Sequence, residues 1–275
     1  MTYYYNGKEF MSSLDKNIQS YKHKANSKES LNHYTDIESF FRIIKNKNLK
    51  LNAIDNLNDK MESEYLEEEE LNRLVFISSF CHGLENIPLW HMYTSKNYGL
   101  NIEFEYKSCK KGFIDVIYDN SRPIEAIQRS PKNEIDKYFI NGDVEDQKFK
   151  WLIDLRITDV CYDSEIRENN PVYYVGDFKY DLNAMGLFKN EFWKYEEETR
   201  LIGKFRTTET KTTLPTYDYI LIPVTFENVL MTVKFSPWMS EEIKECVKVY
   251  AKQYLGDNKA KFIDSRFTDQ LIRKY

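Results

Sequence analysis

Phe192–Ile202 reads Phe-Trp-Lys-Tyr-Glu-Glu-Glu-Thr-Arg-Leu-Ile, with aromatic rings, three consecutive carboxylates and an arginine ahead of an apolar pair. Taken as a helix end running into a strand, it puts Thr199, Leu201 and Gly203 on one face and Glu198, Arg200 and Ile202 on the other. A carboxylate at the mouth of a strand can steady a developing positive charge or take a proton. An arginine on the same face and Trp193 and Tyr195 just before it make this a candidate pocket floor. The competing reading makes Glu196–Glu198 a solvated turn and the two rings packing groups.

Two more segments carry side chains of this kind. His33 stands mid-strand in Leu31-Asn32-His33-Tyr34-Thr35, where the pattern does not decide which face it takes. Ser78 and Ser79 end an apolar strand, and Leu89-Trp90-His91-Met92-Tyr93 follows on a helix opened by Pro88. Trp90 and Tyr93, three apart, share a face of that helix, which is equally the signature of core packing.

The elements that must position these groups are legible in outline. Leu31–Thr35 is a short strand, and Asp36 caps a helix whose face is Ile37, Phe40, Phe41 and Ile44. Further strands are expected at Leu49–Asn52, Leu74–Phe80, Leu100–Tyr106 and Phe113–Tyr118. Ile135–Leu155 and Leu187–Tyr195 read as mostly helical, and Glu67–Glu70 as an exposed helix face. Strands return at Tyr219–Phe226 and Val229–Phe235. Ser240 caps a helix over Glu241–Leu255, with Ile243, Val247, Tyr250 and Ala251 inward, and Gly256 stops it. A last strand falls near Lys261–Asp264. Short strands separated by helices without regular alternation indicate an α+β fold. Residues 1–28 read as an arm or helix, and 29–275 as a single α+β domain.

Composition narrows the function. With 275 residues, 41% of them hydrophobic, the chain can bury a sizeable core. A net charge of −5 argues against a protein held on duplex nucleic acid by phosphate neutralisation. Cys81, Cys109, Cys161 and Cys246 stand singly, so neither a disulfide framework nor a structural metal is expected. Nine glycines and no Gly-x-Gly-x-x-Gly argue against a Rossmann nucleotide site. No stretch has the length and apolarity of a membrane span, and the N-terminus has no apolar signal core, so a cytoplasmic protein is expected.

In order and spacing the blocks are distinctive. Asn32-His33-Tyr34-Thr35-Asp36 leads into Glu38-Ser39-Phe40 and Ile43-Ile44-Lys45-Asn46. Leu57-Asn58-Asp59-Lys60-Met61-Glu62 follows, then Phe76-Ile77-Ser78-Ser79-Phe80, Pro88-Leu89-Trp90 with Tyr93, and Tyr98–Phe104. Trp193 to Ile202 closes the set. Together, over roughly Leu31–Leu255, they resemble a large bacterial family known by a numbered domain-of-unknown-function label. This chain departs from it at Leu57–Glu62, where the family usually carries Phe-Asn-Asp-Pro and then an acid. Asn58, Asp59 and Glu62 remain.

That family's block order is in turn similar to the ADP-ribosyltransferase superfamily of histidine–tyrosine–glutamate type. The resemblance implies a split β-sheet core with surrounding helices, and NAD as substrate. It implies that His33 holds the adenine-side ribose, with Tyr34 and Thr35 beside it in the cofactor-binding set. Tyr93 would stack on nicotinamide, with Trp90 as the alternative, and Glu198 would contact the nicotinamide ribose, with Glu196 as the alternative. Ser78 and Ser79 would meet that ribose or the amide, and Arg200 would hold the carboxylate ionised or reach a phosphate. No metal is implied. The acceptor would be a macromolecule (RNA, DNA or protein), in a setting such as phage defence or toxin action. Two other classes compete: an inactive nucleotide-binding or protein-interaction module of the same fold, and a hydrolytic effector using Asp59, Glu62 and Glu198 around a divalent ion.

Overall fold

A computed structural model describes residues 4–5, 8–9, 30–59, 62, 75–115, 124–129, 135–140, 151–163, 186–207, 217–257 and 259–271. The expected helix face at Glu67–Glu70 lies outside these residues. The fold is α+β, built mainly from antiparallel strands with a few helices. The chain divides into two compact units.

One unit holds residues 29–50, 79–123 and 222–275. Its strand Ser30–Asp36 pairs antiparallel with Gly99–Glu105, Tyr34 opposite Asn101. Gly99–Glu105 pairs antiparallel with Met231–Phe235, which takes Ala260–Asp264 as a parallel neighbour. Leu31, Leu100, Ile102, Phe104, Val233 and Phe235 supply buried faces to this sheet.

The helix Ile37–Asn46 begins where Asp36 Oδ1 accepts the Ser39 amide at 2.7 Å, the expected cap. Phe40, Ile43 and Ile44 bury its inner face, while the Phe41 ring stacks 3.8 Å from Tyr250 on the helix Glu241–Leu255. Phe80, Phe104 and Phe113 meet at centroid distances of 5.3–6.3 Å. Burying each such ring stabilises the unit by about 1.5–3 kcal/mol.

Phe113–Tyr118, expected as a strand, instead begins inside a wide helical turn, Lys110–Asp115. The Gly112 carbonyl accepts the Thr225 amide at 3.1 Å, and a Cβ on Gly112 would lie 2.1 Å from Val229 Cγ2. Only glycine admits that approach, and the turn then sends Phe113 into the core.

The second unit holds residues 1–28, 51–78 and 124–221. In it Trp151–Asp159 runs antiparallel to Glu198–Thr207, from Thr199 opposite Asp159 to Thr207 opposite Trp151. Ile135–Ile140 pairs with Ile124–Arg129, which pairs with Tyr219–Pro223. The helical expectation for Ile135–Leu155 is therefore wrong where the residues are described. Trp151, Ile153, Leu155 and Ile157 alternate with Leu152, Asp154, Arg156 and Thr158 at a period of two, and the long partner strand exploits that period.

Leu187–Tyr195 is likewise not one helix. Phe188–Asn190 is a strand, parallel to Cys161–Asp163, and Glu191–Glu196 a 3₁₀ turn capped by Asn190. Ile54, Val75, Ile77, Leu187 and Ile202 form a buried cluster beneath it. Among the described residues no helix is long and apolar enough to cross a membrane.

Candidate active site

The three consecutive glutamates do not share one environment. Glu197 adopts a left-handed conformation, φ 45° and ψ 49°, as the C-cap of the 3₁₀ turn. That single reversal turns its own side chain outward and leaves Glu196 and Glu198, each 4% exposed, pointing inward. A wholly solvated turn is thereby ruled out, since only the middle carboxylate is in water.

Inside, Glu198 meets Arg200 two residues along the same strand, as the alternation requires. Arg200 Nε donates to Glu198 Oε1 at 2.7 Å and Nη2 to Oε2 at 2.9 Å. Arg200 also grips Glu62, with Nη2 on Oε1 at 2.8 Å and Nη1 on Oε2, and Nη1 donates to the Gly186 carbonyl at 2.9 Å. A guanidinium has five N–H donors. All are taken up by these partners, so the hydrogen bonds describe Arg200 as the holder of carboxylates, with no donor over for a phosphate. Gly186 has φ +72°, and a Cβ there would come within 2.7 Å of Ile77 Cδ1. Glycine lets the backbone pass close enough to present its carbonyl to the guanidinium.

Lys189 enters from the Phe188–Asn190 strand. Its Nζ lies 2.5 Å from Glu196 Oε2, 3.3 Å from Glu198 Oε2 and 4.6 Å from the centre of the Trp193 ring. Tyr162, on the strand Cys161–Asp163, accepts the Glu198 amide on its hydroxyl oxygen at 2.8 Å. Three carboxylates thus surround two cations in a space nearly closed to water.

Burial costs every one of these charges free energy, and its effect on proton affinity differs by group. It lifts the Glu62 carboxyl above the ordinary value, although Arg200 pulls the other way. Burial works against the Lys189 charge, but Glu198 and Glu196 outweigh it and the ammonium holds its proton more tightly than an exposed lysine. Arg200 follows the same balance, burial against Glu198 and Glu62, and ends well above its ordinary value. Burial also pushes the Tyr162 phenol up, so it stays neutral.

The other unit carries the histidine group. His33, half-buried, lies opposite Ile102, with its ring 5.3 Å from Phe80 and Nδ1 2.9 Å from the Ser79 carbonyl oxygen. Burial lowers its pKa, the Ser79 carbonyl working in the opposite sense, so the ring is neutral at pH 7. A carbonyl only accepts, which assigns the proton to Nδ1 and leaves the lone pair on Nε2. The residue types alone allowed either tautomer. This neighbour selects one.

Tyr34 and Thr35 are buried. The Tyr34 hydroxyl oxygen accepts the Asn86 amide at 3.0 Å. Trp90 is fully buried, edge-on to Tyr34 at 5.1 Å, in a cluster with Cys81 and Leu89. Its ring is a core group. Tyr93, at the last position of the helix Ile87–Tyr93, is half-buried at the margin of that cluster. Ser78 is buried, and Ser79 is exposed while its carbonyl serves His33.

His33, Tyr34, Thr35, Ser79, Trp90 and Tyr93 therefore belong to one unit, and Ser78, Glu198 and Arg200 to the other. Sequence reasoning missed Lys189 and Tyr162, whose roles depend on a strand pairing that no local pattern announces. The hydrolytic reading places Glu62 with Asp59 and Glu198 around a divalent ion, but both its oxygens face Arg200. Among the described residues no cluster of three or more acidic, histidine or cysteine groups has the arrangement of a metal site.

Residues 89–201 match the model of a family described as "Protein of unknown function (DUF2971)". That stretch includes Tyr93, Glu198 and Arg200 but not His33, and over it the resemblance to a domain-of-unknown-function family is borne out. A search of curated proteins finds no match.

Among solved structures, the chain is similar to DarT of Thermus sp. 2.9 in three complexes. With carba-NAD+ the identity is 13% and the TM-score 0.33, over 88% of this chain and 97% of that one. With NAD+ the figures are 9% and 0.34, over 88% and 97%. With ADP-ribosylated ssDNA they are 10% and 0.34, over 88% and 95%.

Proposed function

We propose that this chain is an ADP-ribosyltransferase-like enzyme that cleaves NAD at the nicotinamide–ribose bond and transfers ADP-ribose to a macromolecular acceptor, nucleic acid or protein. The observation that carries the reading is the Glu198 carboxylate, buried at the start of its strand and held on both oxygens by Arg200. A carboxylate fixed in this way is preorganised to steady positive charge on a ribose ring.

In the reaction, the bond from C1′ to the pyridinium nitrogen breaks and its electron pair neutralises nicotinamide. The ribose passes through an oxocarbenium-like state, as in glycoside chemistry. The acceptor's oxygen or nitrogen then bonds to C1′ and gives up its proton. In this reading Glu198 stabilises the sugar cation and orients or deprotonates the acceptor. The His33 Nε2 lone pair accepts a ribose hydroxyl, which the Nδ1–H tautomer makes available. Tyr93 offers a half-buried ring for the flat nicotinamide. Ser78 and Ser79 are assigned to the nicotinamide ribose or amide.

The test is nicotinamide release from NAD by the purified protein, with a lysate supplied as acceptor source and mass spectrometry for added ADP-ribose. Glu198→Gln keeps the shape of the side chain without its charge and is expected to lower the rate by about 100-fold or more, as loss of a main electrostatic group does. Equal release by variant and wild type, both with cooperative melting, overturns the proposal.

A second reading is favoured by one observation, the complete uptake of the Arg200 donors within the protein. A cluster so closed also suits a binding module of the same fold without turnover. Calorimetry that finds tight binding of NAD or ADP-ribose, alongside no nicotinamide release, selects it.

A further inference from the structure

Lys189 is buried, touches the carboxylate assigned to catalysis, and has no part in the chemistry above. We infer that Lys189 is a positioning residue for Glu198, and that Glu196 sets how much of the lysine's charge Glu198 receives. The inference rests on the reading of Glu198 as the working carboxylate.

The geometry is one of competition. The Lys189 ammonium sits between two carboxylates and lies closer to Glu196, at 2.5 Å, than to Glu198, at 3.3 Å. It approaches Glu198 Oε2, an oxygen that Arg200 Nη2 also reaches at 2.9 Å. Glu198 is therefore gripped from three elements: by Arg200 on its own strand, by Lys189 from Phe188–Asn190, and at its amide by Tyr162.

Had Lys189 only to neutralise Glu196, it would need no contact with Glu198. Its third neighbour, the Trp193 ring at 4.6 Å, belongs to the turn that also presents Glu196 and fixes the lysine's approach. Among the described residues the charged and titratable groups around Glu198 are Arg200, Lys189, Glu196, Glu62 and Tyr162. Removing Lys189 takes away one of two cations. Removing the Glu196 charge takes away the rival that holds the ammonium, and a like charge with it.

The two changes must therefore move Glu198 in opposite directions. The experiment is a pH titration of glutamate side-chain δ carbons by ¹³C NMR on the full chain, with the Glu198 signal assigned by its loss in Glu198→Gln. In Lys189→Met the Glu198 midpoint is expected to rise by about one pH unit or more, the usual effect of losing a cation at this distance. In Glu196→Gln it is expected to fall. Lys189→Arg, which keeps the charge, is expected to stay near wild type.

In nicotinamide release, Lys189→Met is expected to lose about tenfold or more in kcat with KM for NAD unchanged, as for a group felt only in the transition state. The acid limb of its pH profile moves up with the midpoint. A midpoint that stays put in both variants, or moves the same way in both, overturns the inference and leaves Lys189 a structural ion-pair partner. Should Lys189→Met fail to fold, the Glu196→Gln and Lys189→Arg titrations decide. Should the wild type release no nicotinamide, the proposed function falls and the titrations still judge Lys189.

Discussion

The Glu198 cluster and the His33 strand handle burial in opposite ways. Around Glu198 the protein keeps five charged side chains out of water and satisfies them with one another. Beside His33 it packs Phe80, itself against Phe104 and Phe113, and the imidazole is kept neutral by burial. The first arrangement is costly to assemble and fragile when broken, because each ion relies on partners and not on water. The second tolerates substitution better, since its stability comes from apolar area. Charge is thus retained at the carboxylate to which the reaction is assigned, and avoided at the ring assigned to hold a hydroxyl.

The sharpest way to break this contrast is Arg200→Met. It leaves Glu62 and Glu198 buried without their shared cation, and the expected loss is about 3–5 kcal/mol in urea unfolding. Replacing Glu62 and Glu198 by Gln in the same chain should recover a large part of that loss, because no uncompensated charge remains. His33→Phe, by contrast, exchanges a neutral ring for another of similar volume and should cost under about 1.5 kcal/mol. Losses of equal size at the two places would erase the distinction.

Acidity sharpens it further, because the two regions answer pH with opposite signs. Glu62 has a raised pKa in the folded state, so between the ordinary carboxylate range and that raised value the folded chain binds more protons than the unfolded one. Stability contributed there is lost as pH rises. His33 has a lowered pKa, so below the ordinary histidine value the unfolded chain binds more protons, and stability is lost as pH falls. Each group gives at most about 1.4 kcal/mol per pH unit. Stability profiles of Glu62→Gln and His33→Phe, measured beside wild type, should each flatten only one of these slopes. A Glu62→Gln profile parallel to wild type throughout would show that Arg200 already holds that carboxyl ionised.

What the sequence made legible follows from the range of the interactions. Alternation put Glu198 and Arg200 on one face, and the two side chains do meet. Asp36 caps its helix as its position implies, and Ser240 and Gly256 bracket the long helix. These are contacts within a few residues. Glu62 reaches Arg200 across 138 positions, and Lys189 needs Phe188–Asn190 to pair with Cys161–Asp163. Neither event leaves a periodic trace. The acid that ends Leu57–Glu62 is the available sign of the first, and by residue type it is equally suited to a metal ion. The helical expectation for Ile135–Leu155 ignored an alternation that was present in the letters. Which of Glu196 and Glu197 joins Glu198 inside is not written in the alternation, because it turns on one left-handed residue.

That residue supports the smallest prediction. Among the described residues each unit has one non-glycine residue with positive φ, Glu197 at 45° and Lys47 at 52°, both ending a helical turn. A side chain in this conformation costs about 1–2 kcal/mol, and glycine relieves it at an entropic cost of about 0.5–1 kcal/mol. Glu197→Gly should therefore stabilise the chain by a few tenths to about 1 kcal/mol, read as a higher urea midpoint. Lys47→Gly should gain less, because Lys47 Nζ also donates to Glu227 Oε1 at 3.1 Å. An exposed pair of that kind contributes up to about 1 kcal/mol. Were Glu197→Gly to destabilise instead, the outward carboxylate would be doing something for the turn that its backbone does not, and the division of the three glutamates into two inward and one outward would need a reason other than φ.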